Sequence, residues 1–327
     1  MHKGIRIGII GGAGYTGGEL IRLLLLHPLA DIAFIHSKSN AGNPIHHVHH
    51  DLLGSTDIAF TGEIDQNIDI LFLCLGHGES TRFLNETPLD PSIRIIDLAN
   101  DFRLHKHAEQ FGRKFVYGLP ELNEDSISGA HNIANPGCFA TAIQLGLLPL
   151  AQAGVLNNIY TTGITGSTGA GQSLTATSHF SWRANNIQAY KTLTHQHIDE
   201  IHQSLHQLQN NLSPAVHFVP WRGDFTRGIL ISSIIETSLD IKELYNLYHD
   251  FYGKQPFTIV SEKQISLKQV VNTNKCLIHI EKEGNKVVVH SVIDNLLKGA
   301  SGQAVQNMNI MMGWEHSTGL HLKSIAF

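Results

Sequence analysis

Apolar and polar residues follow two different rhythms along this chain. In the first half, short β-branched runs (Ile5 to Ile10, Ile32 to Ile35, Ile68 to Leu75, Arg94 to Leu98) are interleaved with helical spacing, first over Glu19 to Leu26. Continuous apolar strands alternating with helices predict an open parallel sheet. A further short strand is expected before Asn135, and Phe139 to Leu148 reads as an apolar helix stopped by Pro149. Beyond about residue 150 the runs alternate over Ala215 to Val219, Gly228 to Glu236, Cys276 to Glu281 and Lys286 to Asp294, which predicts an antiparallel sheet with one polar face. Asp199 to Leu208 reads as a helix, as does the segment from Lys298 to about Gly313 after its opening glycines.

The first strand ends in Gly11-Gly12-Ala13-Gly14-Tyr15-Thr16-Gly17-Gly18, with Gly12, Gly14 and Gly17 at G-x-G-x-x-G spacing before a helix. Strand, glycine turn and helix in that order let backbone approach a pyrophosphate and aim helix N–H groups at it. Gly12, Ala13, Gly14, Tyr15, Thr16 and Gly17 are therefore expected to bind a dinucleotide. The fold class is α/β: a Rossmann-type dinucleotide-binding domain plus an α+β domain with a mostly antiparallel sheet. The second strand runs into His36-Ser37-Lys38-Ser39, with no acid for the ribose hydroxyls. A hydroxyl and a cation suit a 2′-phosphate, so Ser37 and Lys38 predict NADP over NAD, against a solvated turn lysine. The loop Gly76 to Ser80 ends another strand where ligands of parallel sheets gather.

The run Asn135-Pro136-Gly137-Cys138 sets a thiol at the mouth of a helix. Backbone N–H groups and the positive end of the helix dipole stabilise a thiolate there, and the same N–H groups can cradle an oxyanion. The alternative is a buried core cysteine. A thiol nucleophile needs an imidazole near neutral pH, and His195 and His197, in the turn before the Asp199 helix, are candidates. Gly163 to Gly171 reads as a glycine-rich loop at the mouth of the site, or as a flexible linker. The amide-rich Lys298 to Asn309 segment, Asn307 included, suits close packing beside a cofactor or within a core.

Composition narrows the classes. A chain of 327 residues is long enough for two domains, and a net charge of −5 with scattered Lys and Arg supplies no field for nucleic acid. No stretch has the apolar length of a membrane span, and three cysteines without paired spacing point to a reducing cytoplasm. The run His46-His47-Val48-His49-His50 lacks a completing ligand set and is expected to be a solvated loop, with no metal bound. A short-chain dehydrogenase is excluded because no Tyr is followed by Lys four residues later.

With Gly11 to Glu19, Asp-Leu-Ala-Asn-Asp-Phe-Arg at 97–103, Val-Tyr-Gly-Leu-Pro-Glu at 116–121, Asn-Pro-Gly-Cys at 135–138 and Lys298 to Asn309, the chain resembles the N-acetyl-γ-glutamyl-phosphate reductases of the semialdehyde dehydrogenase family. The resemblance implies domains at 1–150 with 298–327 (NADP binding) and at 151–297 (catalysis and oligomerisation). It implies Cys138 as thiolate nucleophile, His197 ahead of His195 as acid/base, Arg103 as a substrate contact or a structural ion pair, and Arg227 in a family Arg-Gly element. The family pattern His-Arg-His-x-Pro-Glu-Ile is departed from at Gln196 and Asp199. The implied reaction reduces an acyl phosphate with NADPH through a cysteine thioester, in arginine biosynthesis, within a homo-oligomer (dimer or tetramer). N-succinyl-glutamyl or N-acyl-aminoadipyl phosphate are alternative substrates, and a non-catalytic NADP-sensing module is the alternative of another class.

Overall fold

The computed structural model describes residues 4–210 and 216–325. The chain divides into two compact units: residues 1–136 with 300–321, and residues 137–299 with 322–327. The expected boundary at residue 150 therefore moves to 136/137. The reason is the apolar helix that begins at Cys138, which is buried nearly all round and packs against elements of the second unit.

The first unit contains β1 (Ile5–Ile10), α1 (Tyr15–Leu24), β2 (Ala30–His36), β3 (Ile70–Leu73), α2 (Glu79–Glu86), β4 (Arg94–Asp97), β5 (Glu109–Gln110), β6 (Arg113–Tyr117), α3 (Pro120–Ser128) and β7 (Asn132–Ala134). Its sheet runs β2-β1-β3-β4-β7-β6-β5, parallel throughout except for the β5–β6 hairpin. The strand centres are apolar and fully buried, as in a sheet covered on both faces. β6, Arg-Lys-Phe-Val-Tyr, escapes sequence reading because its first two positions are charged and only Phe115 and Tyr117 are buried.

The second unit contains α4 (Cys138–Gln152), β8 (Ile159–Thr165), α5 (Phe180–Arg183), β9 (Gln188–Ala189), α6 (Ile198–Leu208), β10 (Val216–Arg222), β11 (Ile229–Glu236), α7 (Ile241–Tyr252), β12 (Thr258–Val260), β13 (Cys276–Glu283) and β14 (Lys286–Ile293). Its sheet order is β12-β13-β14-β11-β8-β10-β9. The sheet is mixed: β12–β13 and β8–β10 are parallel and the other pairs antiparallel. The expected strand at Ala215 begins at Val216, Ala215 itself lying outside the described residues. The chain returns to the first unit through α8 (Gly302–Met311), entered by a π-helical turn at Leu297–Ser301.

Two expectations give way to local physics in the second unit. Gly163, assigned to a loop, lies inside β8, where a Cβ would stand 2.4 Å from Ile231 Cδ1 and 2.9 Å from the Phe139 ring. That glycine is needed for close packing and not for flexibility. Pro149 does not stop α4, which continues to Gln152. A helical proline withdraws the N–H owed to the carbonyl four residues back. Here that carbonyl, Leu145 O, accepts the buried hydroxyl of Tyr252 at 2.5 Å instead, and the neighbouring Gly146 O accepts Tyr248 Oη.

Candidate active site

In the first unit, Gly11 adopts φ +77° and turns the chain at the carboxyl end of β1. A Cβ on Gly17 would stand 2.7 Å from Gly12 Cα, so the first turn of α1 lies directly on the glycine loop. The N-cap of α1 is Gly14, with no side-chain cap and no acid in the first turn, whereas α2 is capped by Asp101, whose carboxylate accepts the N–H groups of Gly78 and Thr81 at 2.9 Å. An anion is thus favoured at α1 and disfavoured at α2. Tyr15 is exposed at this end of α1, and the Thr16 carbonyl accepts Ser301 Oγ at 2.8 Å. The structure corrects the solvated-loop expectation for the histidine run. His49 is buried and donates through Nε2 to Gly12 O at 2.7 Å, buttressing the glycine loop.

At the end of β2, Lys38 is exposed while Ser37 is buried, its hydroxyl accepting from Asn40 Nδ2 at 3.1 Å. The short turn from Lys38 to Asn40 that follows β2 thus carries a cation.

Asn135 is fixed through every polar atom it has. Its N–H goes to Asp97 O (2.8 Å), its carbonyl accepts Arg103 Nε (2.8 Å), its Nδ2 donates to Ala300 O (3.1 Å) and its Oδ1 accepts Asn307 Nδ2 (3.1 Å). Asn307 also donates to Gly118 O at 2.8 Å and is fully buried. Arg103 is buried too, its guanidinium donating to the carbonyls of Asn135 and Leu98. Both side chains hold the strand end that leads into Pro136-Gly137-Cys138. Beside them Asp97 is wholly buried, and desolvation pushes its carboxyl up to about 7 despite a 2.5 Å bond from Ser80 Oγ. Burial and the Asp97 charge push the Cys74 thiol up to about 12, so that sulfur is inert.

In the second unit, Cys138 is the first residue of α4 and half-buried, following the N-cap Gly137 (φ −71°, ψ 149°). The first N–H groups of an α-helix have no intrahelical acceptor, which is the setting a thiolate or oxyanion needs. The Gly137 N–H donates to Glu200 Oε2 at 3.0 Å, and Glu200 is buried in the first turn of α6. This bond brings the N-terminal ends of α4 and α6 together. His197 is the N-cap of α6, and both His195 and His197 are buried, their rings 4.6 Å apart. His195 Nδ1 accepts the His197 N–H at 3.2 Å, so neutral His195 carries its proton on Nε2. The His195 ring stands edge-on to Phe139 at 5.5 Å and to Tyr190 at 5.9 Å. Sequence reasoning missed Tyr190, whose phenol is raised by burial and by the charge of Cys138, and Gly299, where a Cβ would stand 2.7 Å from that of Cys138. Arg227 pairs bidentately with the buried Asp294 through Nε (3.0 Å) and Nη2 (3.2 Å).

Two family descriptions match this chain: semialdehyde dehydrogenase, NAD binding domain, over residues 6–130, and semialdehyde dehydrogenase, dimerisation domain, over 138–295. The N-acetyl-gamma-glutamyl-phosphate reductase of Flavobacterium johnsoniae is 53% identical over 324 residues, covering 99% of this chain and all of its own, and that of Phocaeicola vulgatus is 54% identical over 325 residues with the same coverage. The chain belongs to the N-acetyl-gamma-glutamyl-phosphate reductase family. Solved structures place this reductase family's fold among the aspartate-semialdehyde dehydrogenases. The Vibrio cholerae enzyme II has a TM-score of 0.72 at 17% identity over 95% of this chain and 99% of its own, and the Candida albicans enzyme, solved with NADP, 0.69 at 13% with the same coverage. Among the described residues no helix is long and apolar enough to cross a membrane.

Proposed function

We propose that this chain reduces N-acetyl-γ-glutamyl phosphate to N-acetylglutamate 5-semialdehyde with NADPH, a cytoplasmic step of arginine biosynthesis, through a thioester on Cys138. The observation that carries the mechanism is a half-buried thiol on the first residue of α4 with two buried imidazoles at the adjoining end of α6. The Cys138 thiolate attacks the γ-carbonyl carbon, a C–S bond forms, the C–O bond to phosphate breaks, and inorganic phosphate leaves. The helix N–H groups stabilise the oxyanion of that addition. Gly12 to Gly17, at the uncapped end of α1, and Lys38 with Ser37 are the residues that would hold NADPH, which when bound would supply the hydride that reduces the thioester. His197 gives a proton to the resulting hemithioacetal oxygen and takes it back as the aldehyde leaves and the Cys138 thiolate is restored. Asn307 and Arg103 act upstream of the chemistry by fixing Asn135.

The second unit leaves one sheet face open, with Tyr160, Trp221 and Ile234 exposed among apolar neighbours. Two copies associate through this face, which accounts for its apolar character.

The test is turnover on N-acetyl-glutamyl, N-succinyl-glutamyl and N-acetyl-aminoadipyl phosphates, each with NADPH and NADH. The N-acetyl-glutamyl substrate with NADPH is expected to lead, and Cys138→Ser to lower turnover by several orders of magnitude while NADPH binding stays intact. Retained turnover in that variant overturns the covalent route.

A further inference from the structure

The substrate of the proposed reaction carries both a carboxylate and an acyl phosphate, and so calls for more than one cationic contact. The ring contacts that start at Phe139, next to the nucleophile, pass through His195 to Tyr190 and end on a cation: the Arg222 guanidinium lies over the Tyr190 ring at 4.7 Å. Arg183, at the end of α5, is anchored through Nη2 to the carbonyls of Gly223 and Asn186. In both arginines Nε is buried without a hydrogen-bond partner. Neither guanidinium forms an ion pair among the described residues, and the nearby carboxylate, exposed Asp224, is engaged by the Asn185 N–H at 2.6 Å. Burial and the charge of Arg222 disfavour the charge on Arg183, and Asp224 offsets them only in part. Two half-buried like charges held together are unfavourable alone, and an anion between them offsets the repulsion.

We propose that Arg222 and Arg183 form an oxyanion subsite beside Cys138 that takes a carboxylate or phosphate group of the substrate. This rests on the acyl-phosphate reading above. Arg222, stacked on Tyr190, presents a planar fork suited to two oxygens, and Arg183 supplies the second charge.

The reverse reaction separates the two sources of the oxyanion, because N-acetylglutamate semialdehyde carries the carboxylate and inorganic phosphate is a separate substrate. Arg222→Gln is expected to raise the KM of one of the two by roughly 10- to 100-fold, with the KM of NADP unchanged and Arg222→Lys recovering part of the loss. A rise for phosphate assigns the subsite to the phosphoryl group, and a rise for the aldehyde assigns it to the carboxylate. Arg183→Gln should shift the same constant in the same direction. In a second readout, inorganic sulfate should slow iodoacetamide alkylation of Cys138 in the parent and not in Arg222→Gln. An active parent whose folded arginine variants keep both KM values and the sulfate protection overturns the subsite. An inactive parent instead overturns the acyl-phosphate reading, while the sulfate experiment still decides the subsite.

Discussion

Removing the Tyr252 hydroxyl tests how α4 tolerates a proline in its last turns. In Tyr252→Phe the Leu145 carbonyl loses its 2.5 Å donor, and Pro149 offers none in exchange. Leu145 is fully buried and Tyr252 nearly so, so water is a poor substitute. A buried acceptor left without a donor costs about 1–3 kcal/mol. In a Pro149→Ala background the new N–H can reach Leu145 O along the helix, and the same Tyr252→Phe change should cost only a few tenths of a kcal/mol. Coupling of about 1–2 kcal/mol is therefore expected between positions 149 and 252. Urea unfolding of the parent, both single variants and the double variant measures it as a double-mutant cycle, given equal m values. A coupling within about 0.5 kcal/mol of zero is ordinary additivity and refutes the compensation.

Asp97 gives a pH prediction of definite sign. Its folded carboxyl titrates near 7, above the value of about 3.9 in an unfolded chain, so between those values the folded state binds the extra proton. Its contribution to stability is complete below about pH 4 and is lost as pH rises through 7, by roughly 1.4 kcal/mol for each pH unit crossed. Asp97→Asn should flatten that part of the stability curve, and an unchanged slope in urea titrations at pH 5 and 7 removes the assignment. Phe111 sits at φ +56° before Gly112 at φ +67°, in the turn joining β5 to β6. Asn tolerates that backbone, so Phe111→Asn should stabilise the protein by about 1 kcal/mol in thermal unfolding, and a lowered Tm contradicts the strain argument. Ile234→Glu on the open face of the second sheet should move the sedimentation mass towards that of one chain, and an unchanged mass would place the association elsewhere.

What could be read from the sequence was local. The glycine turn, the thiol ahead of an apolar helix and the strands at β1, β11, β13 and β14 rest on signals carried within about ten residues. What escaped depends on partners distant along the chain. Pro149 reads as a stop until the Tyr252 hydroxyl, more than a hundred residues away, replaces the lost donor. Gly163 reads as a loop until Phe139 and Ile231 fill the space of its missing side chain. Arg103 has the residue type of an anion contact, and its bonds to the distant carbonyl of Asn135 and to that of Leu98 have no signal in the sequence. Arg222 and Tyr190 bear no recognisable spacing to Cys138 and meet near it through the pairing of β9 with β10 and the turn that follows β9.

Of the three cysteines, Cys74 and Cys276 are buried and Cys138 is half-buried. Among the cysteines an oxidant therefore meets Cys138 first, and no second accessible thiol in the chain can capture a sulfenic acid there as an internal disulfide. Repair must come from an external thiol, so the rate at which small thiols reverse the oxidation after peroxide measures access to Cys138.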